Sequence, residues 1–198
     1  FYFHIWGGDH IHVGIYDHSD ESIKNASPKI VEMMTSKISL KKQTSVLDLG
    51  SGYGGAARYL AKKFGCRVTC FNLSETQNAR NEVLNKQYGL DHLITVVEGS
   101  FEEIPYPERS FDVVWSQDAF VHSSDREALI EQVSGVLKEN GEFIFTDLMQ
   151  TEDCPKSVLK PILDRIYLDS LASFGFYAEQ ARKLKAKKTE ITDLSKNL

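Results

Sequence analysis

A glycine-rich loop that directly follows a short apolar segment constrains the fold of this chain most strongly. Ser45–Leu49 has the pattern of a buried strand, residues 50–55 contain four glycines, and Gly55–Phe64 has the pattern of a helix. Glycine permits a positive φ and lets a ligand approach the backbone closely. The amides at the start of the helix favour a negatively charged group. The segment therefore predicts a ligand site at the end of a strand.

The same alternation of strand and helix continues along the chain. Further strands are predicted at Arg67–Phe71, Leu93–Val97, Phe111–Ser116 and Glu142–Asp147, and Thr189–Leu194 is a candidate for a last strand. Helices are predicted at Pro28–Leu40, from Ser74 to Tyr88, from Ser124 to Lys138, and over Pro155–Lys187 with breaks near Pro161 and Gly175. Such alternation predicts an α/β fold with a doubly wound, mostly parallel sheet. Ligands of these sheets bind at the carboxyl ends of the strands, where the strand order reverses.

Composition narrows the function classes. The chain has 198 residues and a formal charge of −5, which suits one globular domain and disfavours nonspecific binding of nucleic acid. No apolar run is long enough to span a membrane. The chain does not begin with Met, so we expect a true N-terminus further upstream.

The cysteines and histidines indicate neither a disulfide scaffold nor a metal centre. The three cysteines lack the paired spacing of a zinc site, and His10 and His12 have no third ligand nearby. Ordinary core packing is the main alternative for the N-terminal histidines. We therefore expect no metal, free thiols and a cytoplasmic protein, with an organellar location left open.

Asp48 changes the interpretation of the glycine loop. Gly50, Gly52 and Gly55 fit the dinucleotide pattern G-x-G-x-x-G, but Asp48 lies two residues before the first glycine. A carboxylate there would repel a pyrophosphate and attract an ammonium. The loop therefore suits a ligand with both an α-ammonium and an α-carboxylate. The alternative is that Asp48 only braces the turn through backbone amides.

The stretch from Leu47 to Gly54, Leu-Asp-Leu-Gly-Ser-Gly-Tyr-Gly, resembles the first motif of the class I S-adenosylmethionine-dependent methyltransferases. Later motifs follow in order as far as Asp147. The resemblance implies a Rossmann-like fold, S-adenosylmethionine as cofactor and S-adenosylhomocysteine as product. It implies that the cofactor is bound by Asp48, Leu49, Gly50, Ser51, Gly52, Asn72, Leu73, Gln77, Gly99, Ser100, Phe101 and Gln117. The family sheet normally has a seventh, antiparallel strand, and we expect that last strand to be missing from this sequence.

Two positions depart from the family pattern. Asn72 lies 20 residues after Gly52, where the family usually places a carboxylate for the ribose hydroxyls. Ser100 stands where many members have an Asp for the adenine amino group. Neutral side chains make weaker hydrogen bonds than carboxylates, so we expect weaker binding of the same cofactor. Asn72, Gln77 and Ser100 also fit roles at the start of a helix.

The segment after the fourth predicted strand bears on the methyl acceptor. It lacks the Asn-Pro-Pro-Tyr type of sequence found in base-methylating relatives, which favours a small-molecule acceptor and no nucleic acid or membrane partner. His122 would lie near the transferred methyl group and is the candidate catalytic base. A structural role for this histidine is the alternative.

Two shorter segments resemble the sarcosine and dimethylglycine methyltransferases. They are Trp6-Gly7 with the following His12-x-Gly-x-Tyr16, and Leu168–Tyr177. This resemblance implies N-methylation of a small amino acid to betaine. Aromatic faces would stabilise the cationic product, and an Arg would hold its carboxylate. The candidates for binding this substrate are Trp6, Tyr16, Phe120, Arg165, Tyr167 and Tyr177.

A single methyltransferase domain would then have three parts. Residues 1–44 would form an N-terminal lid with a helical segment, 45–150 the cofactor-binding core, and 151–188 the acceptor-side helices. Three other functions remain open. They are methylation of a phospho-base, phenol, prenylquinol or lipid, a nicotinamide oxidoreductase, which Asp48 disfavours, and a catalytically silent cofactor-binding protein.

Overall fold

A computed structural model describes residues 8–197 and places a five-stranded parallel sheet at the centre of the molecule, in the order β3-β2-β1-β4-β5. The strands are β1 (Ser45–Leu49), β2 (Arg67–Asn72), β3 (Ile94–Glu98), β4 (Phe111–Gln117) and β5 (Leu137–Thr146). The helices are α1 (Ile23–Thr35), α2 (Gly55–Phe64), α3 (Glu75–Gln87), α4 (Arg126–Val136), α5 (Lys156–Ile166) and α6 (Phe174–Lys183). Two short strands, β6 (Met149–Gln150) and β7 (Ala172–Ser173), pair in parallel, and 3₁₀ turns lie at Phe120–His122 and Ser195–Asn197. The predicted α/β, doubly wound fold is confirmed.

Both faces of the sheet are buried. Val46 belongs to a core cluster shared with α1 and α2, whereas its neighbours Leu47 and Leu49 pack with Leu129 and Val133 of α4. Alternate residues of a strand point to opposite faces, so one apolar run serves both layers. Each fully buried side chain of this kind contributes about 1.5–3 kcal/mol to the free energy of folding.

The strand order reverses at β1, and this places two functional side chains together. The chain crosses from β1 to β2 on one side, and β4 returns to pair with the other side of β1. Asp48 stands opposite Trp115 in this register, and the Ser116 hydroxyl donates to the Leu49 carbonyl over 2.9 Å. Asp48 and Gln117 therefore reach the same edge of the sheet, where ligands of such folds bind.

The first described helix begins and ends earlier than predicted. The sequence placed its start at Pro28, a residue that favours the first helical turn. The structure instead begins α1 at Ile23, keeps Pro28 inside it, and ends it at Thr35 rather than at Leu40. Ala26, Ile30 and Met34 recur every four residues and are buried, so packing against the sheet outweighs the cost of an interior proline.

Other predicted boundaries were also wrong. Asp125, not Ser124, caps α4 by accepting from the amide of Ala128 over 3.0 Å. Strand β5 begins at Leu137 rather than at Glu142, and it includes Asn140, whose φ of +62° accompanies a register shift against β4.

The C-terminal region differs as well. Pro161 lies inside α5, which ends at Ile166 and is followed by Tyr167 with a φ of +56°, so the break falls at residues 167–173. Residues 189–194 are mostly exposed and form no strand, because they present no buried face to the sheet. Among residues 8–197, no helix is both long enough and apolar enough to cross a membrane.

Candidate cofactor and acceptor sites

A small cavity of about 30 Å³ lies at the carboxyl ends of β1 and β4. Asp48, Gly50, Ser51 and Gln117 line it from the sheet side, and residues 9–12 close it from above. Its polar lining comes from the loop that the sequence singled out. This cavity is therefore the candidate cofactor site.

Asp48 is a buried carboxyl group in the lining of this cavity. Its side chain is 2% exposed, and its Oδ2 atom has no hydrogen-bond partner. Burial raises the pKa of this carboxyl to about 7, because a charged oxygen without a partner is poorly solvated there. A cationic ligand group beside Oδ2 would supply the missing partner and lower the pKa again. The unpartnered oxygen supports a ligand role beyond bracing of the turn.

Gln117 presents the complementary group. Its Oε1 accepts from the indole Nε1 of Trp115 over 3.1 Å, and its buried Nε2 has no partner. Indole nitrogen only donates, so the contact fixes the orientation of the amide and leaves the NH₂ group as an available donor. An unpartnered carboxylate and an unpartnered amide donor thus line one cavity. Together they match the ammonium and carboxylate of an amino-acid ligand.

The glycine loop has the backbone that the sequence predicted. Gly50 has φ of +74°, and a Cβ at this position would lie 2.4 Å from the Cβ of Ala119. Gly52 has φ of +55°, and a Cβ there would lie 2.7 Å from Cδ1 of Ile11. The loop therefore needs glycine for its conformation and for its close neighbours.

Residues 9–13, here called the N-terminal segment, lie directly over this loop. Ile11 approaches Gly52, and a Cβ at Gly55 would lie 2.7 Å from Nδ1 of His10. At the end of the segment, the amide of Val13 donates to Oδ2 of Asp118 over 2.8 Å. The described part of the predicted lid thus covers the candidate cofactor site, whereas Trp6 lies outside the described residues.

The two histidines of the segment contact each other. Nδ1 of His12 lies 3.0 Å from the carbonyl oxygen of Val13, so it carries the proton, and its Nε2 accepts from Nδ1 of His10 over 2.9 Å. Burial lowers the pKa of His10 to about 3 and also lowers that of His12. Both rings are therefore neutral at pH 7. Within residues 8–197, no cluster of three or more His, Cys, Asp or Glu side chains could hold a metal ion.

The predicted ribose-binding residues form one hydrogen-bonded group. Nδ2 of Asn72 donates to Oε1 of Gln77 over 3.1 Å and lies 3.2 Å from Oδ1 of Asn78. Ser74 caps α3 as predicted, accepting from the amide of Gln77. The next residue after β2, Leu73, is 70% exposed. An exposed apolar side chain next to a polar group suits the junction of a ribose and a base.

The loop after β3 carries the next group of predicted cofactor-binding residues. Gly99 has no room for a side chain, because a Cβ there would lie 2.3 Å from the ring of Phe71. The Ser100 hydroxyl accepts from the amide of Glu102 over 3.2 Å, and no helix follows it, so the helix-capping alternative is wrong. The ring of Phe101 lies about 4.0 Å from where a Cβ of Gly50 would stand. Phe101 therefore lies beside the glycine loop.

A second, larger cleft of about 230 Å³ lies beside the 3₁₀ turn that follows β4. His122, Arg126, Tyr167, Asp169 and Ser170 are among the residues that line it. His122 is exposed to this cleft and does not line the Asp48 cavity. The structure thus places the candidate base beside a polar cleft large enough for a small amino acid.

The backbone of this turn is held from two sides. Oδ1 of Asp147 accepts from the amide of Val121 over 3.1 Å, and Oδ2 accepts from the Tyr177 hydroxyl over 2.5 Å. Arg126 donates to the carbonyls of Phe120 and Val121, and also to the carbonyl and hydroxyl of Ser170. These contacts fix the turn while leaving the His122 side chain free to meet a ligand.

Comparison with known proteins identifies the family. The methyltransferase domain family matches residues 47–145. The chain is 51% identical over 198 residues to the glycine/sarcosine/dimethylglycine N-methyltransferase of Actinopolyspora halophila. The chain belongs to the class I S-adenosylmethionine-dependent methyltransferases. The match covers all of this chain but 35% of that relative.

Other relatives of this methyltransferase carry similar names. It is 51% identical over 185 residues to the sarcosine/dimethylglycine N-methyltransferase of Halorhodospira halochloris, a match that covers 93% of the chain and 66% of the relative. A crystal structure of a putative sarcosine dimethylglycine methyltransferase from Galdieria sulphuraria superposes with a TM-score of 0.88 at 44% identity. That superposition covers 92% of the chain and 71% of the Galdieria protein.

The predicted acceptor-binding residues of this methyltransferase are not brought together. Phe120 is 1% exposed and packs in the core, and Tyr177 is buried with its hydroxyl on Asp147. Burial raises the pKa of Tyr177 far above its usual value, and Asp147 raises it further. Arg165 is exposed on α5, and Tyr16 is half-buried near the start of the chain. Tyr167 lines the cleft with His122.

Sequence reasoning missed several polar residues around the candidate sites. Asp118 and Asp147 hold the N-terminal segment and the turn, and Arg126 joins the turn to Ser170, through contacts between distant parts of the chain. Asp118 also has an unusual φ of +50°, for which no local motif gave a signal.

Proposed function

We propose that this chain is the catalytic part of an S-adenosylmethionine-dependent N-methyltransferase that converts sarcosine and dimethylglycine to betaine. The unpartnered buried atoms Oδ2 of Asp48 and Nε2 of Gln117, which line one cavity, carry the cofactor assignment. The names of two relatives at 51% identity, both N-methyltransferases of sarcosine and dimethylglycine, support the acceptor class.

The cofactor would bind along the carboxyl ends of β1, β2 and β3. Asp48 would accept from its ammonium, and Gln117 with the amides of residues 50–52 would donate to its carboxylate. Asn72 and Gln77 would contact the ribose, and Leu73 and Phe101 would enclose the base, with Ser100 nearby. Leu49 would contribute only backbone, because its side chain is fully buried in the core.

Binding requires the N-terminal segment to move. A cavity of about 30 Å³ holds one or two waters, not the amino-acid end of the cofactor. Ile11 and His10 occupy the space over the glycine loop. The segment would therefore open to admit the cofactor and then cover it, which excludes water during the reaction.

The cofactor supplies an electrophilic methyl group, and the protein aligns the acceptor nitrogen with it. The amine must arrive unprotonated, because its lone pair forms the new bond. His122 would take the proton at the edge of the larger cleft. Among the described aromatic candidates Tyr16, Phe120, Tyr167 and Tyr177, Tyr167 has the position that best suits contact with a methylated ammonium, because it lines the same cleft. Trp6 stays a candidate from the sequence. Arg165 stays a candidate for the carboxylate.

Methyl transfer from labelled S-adenosylmethionine to glycine, sarcosine and dimethylglycine tests this function. We expect labelled dimethylglycine and betaine from the last two acceptors. His122→Asn should lower kcat by about 10²–10⁴-fold while leaving the Kd for S-adenosylhomocysteine within about twofold of wild type. Transfer only to phosphoethanolamine or a phenol would overturn the acceptor. Binding of the cofactor without transfer to any acceptor would support the silent-protein alternative.

A further inference from the structure

Arg58 of α2 is a buried cation next to the candidate cofactor loop. Its side chain is 6% exposed, and its Nη1 donates to Oδ1 of Asn81 and to Oδ1 of Asn85, each over 3.1 Å. Both asparagines belong to α3 and are at most 2% exposed. These contacts orient the guanidinium but bring no negative charge to it.

The counter-charge comes from the N-terminal segment. Nη2 of Arg58 lies 3.0 Å from Oδ2 of Asp9, at an angle that makes the contact an ion pair rather than a hydrogen bond. The Asp9 side chain is 24% exposed, so the pair is partly shielded from solvent. Burying a cation without a counter-charge costs far more free energy than burying the pair. Among residues 8–197, Asp9 is the acid that forms an ion pair with Arg58, so opening of the segment would remove this counter-charge from a buried guanidinium.

The position of this pair matters for the site. Asp9 is followed directly by His10 and Ile11, which lie against Gly55 and Gly52. Gly55 is the first residue of α2, and Arg58 is one turn further along the same helix. The ion pair thus ties the segment to the helix whose first turn would face the cofactor.

We propose that Arg58 is a positioning residue whose ion pair with Asp9 re-forms after the cofactor has entered and displaced Ile11 and His10, and which then holds the N-terminal segment closed over the cofactor. The role in cofactor retention rests on the proposed function. The tie itself does not, because it exists in the protein without ligand. Neither residue needs to touch the reacting atoms for this role.

The ligand-free protein gives the first test. The amide of Val13 donates to Asp118, so its hydrogen exchange reports opening of the segment. Asp9→Asn should increase exchange at Val13 about tenfold or more, while amides of β1 keep wild-type protection. Asp17→Asn is the matched control, because it removes an exposed ion pair with Lys29. Unchanged exchange in Asp9→Asn would overturn the proposal.

Binding of S-adenosylhomocysteine gives the second test. Asp9→Asn should speed its dissociation and raise the KM for S-adenosylmethionine about tenfold, with kcat changed less than twofold. Asp9→Glu keeps the carboxylate and should stay close to the wild-type dissociation rate and KM. Arg58→Lys should behave like Asp9→Asn, because an ammonium lacks the planar fork that reaches both asparagines and Asp9.

The outcomes separate the two proposals. Failure of the wild-type protein to bind S-adenosylhomocysteine would refute the proposed function, whereas faster exchange in Asp9→Asn would still support the tie. Weaker binding in Asp9→Asn with wild-type exchange at Val13 would make Asp9 a direct ligand and overturn the positioning role. A lowered melting temperature with uniformly faster exchange in both Asp9→Asn and Asp17→Asn would also overturn the positioning role of Arg58.

Discussion

Cofactor affinity should depend on pH through Asp48. The pKa of this carboxyl is raised to about 7 in the ligand-free protein, so Asp48 holds a proton below that pH. A ligand ammonium requires the ionised carboxylate, so binding below pH 7 must release the proton. We therefore expect the affinity for S-adenosylhomocysteine to fall as the pH is lowered from 7.

The size of the effect follows from the position of the pKa. Relative to its value with Asp48 fully ionised, the affinity should be about tenfold lower at pH 6 and about a hundredfold lower at pH 5, a slope that approaches about 1.4 kcal/mol for each pH unit. At higher pH the α-amino group of the ligand itself loses its proton, so affinity should fall again. The optimum should lie above pH 7 and below the pKa of that amino group. The pKa of His10 is about 3 in the folded protein, so this ring does not titrate between pH 5 and 7.

Isothermal titration calorimetry in two buffers with different ionisation enthalpies measures both the affinity and the number of protons released on binding. At pH 6 about 0.9 proton should be released for each ligand bound. Asp48→Asn should bind more weakly at pH 7.5 and lose the dependence on pH between 5 and 7. A wild-type affinity that stays constant over that range, with no proton released, would show that Asp48 is ionised without a ligand, and the reasoning from burial would be refuted.

Three further predictions concern the same region. Gln117→Glu keeps an acceptor for Trp115 but replaces the free donor, so it should weaken binding of S-adenosylhomocysteine by about 1.5–3 kcal/mol in calorimetry. Gly50→Ala should lower the free energy of unfolding by more than about 1 kcal/mol in urea titrations, because of the positive φ and the contact of the added Cβ with Ala119. Gly135→Ala is the control: it lies in a helix, its added Cβ would have no atom within 4 Å, and it should raise the free energy of unfolding by about 0.5–1 kcal/mol. The lowered pKa of His10 means that the folded N-terminal segment binds fewer protons than the open one below pH 6.5, so acidification towards pH 4 should lower the protection factor of the Val13 amide, measured against an unstructured peptide at the same pH. A constant protection factor would contradict the neutral assignment.

The sheet and the cofactor loop were predictable because their signals are local. An apolar run such as Val113–Trp115 between turn residues is typical of a strand buried on both faces, and closely spaced glycines mark a turn that a ligand approaches. The position of Asp48 predicted a cationic partner, with bracing of the turn as the alternative. The structure adds that its Oδ2 has no partner within the protein.

Helix ends and the links between distant residues were not predictable in this way. Pro28 and Ser124 are good starting residues in isolation, but burial of Ala26 and the geometry of Asp125 decide the actual ends. Arg58 and Asp9 are 49 positions apart. No local pattern reveals such a contact, because only the folded topology brings the two side chains together.

The two ends of the segment that contains α5 lie next to each other. The strands β6 and β7 that bracket it are paired, and the Glu152 carboxylate accepts from the hydroxyl of Ser173 and the amide of Gly175. No residue of α5 itself is buried. The length and sequence of the segment between β6 and β7 can therefore change with little effect on the cofactor-binding core. Changes there would alter the cleft that Tyr167 lines without disturbing the glycine loop at the other site.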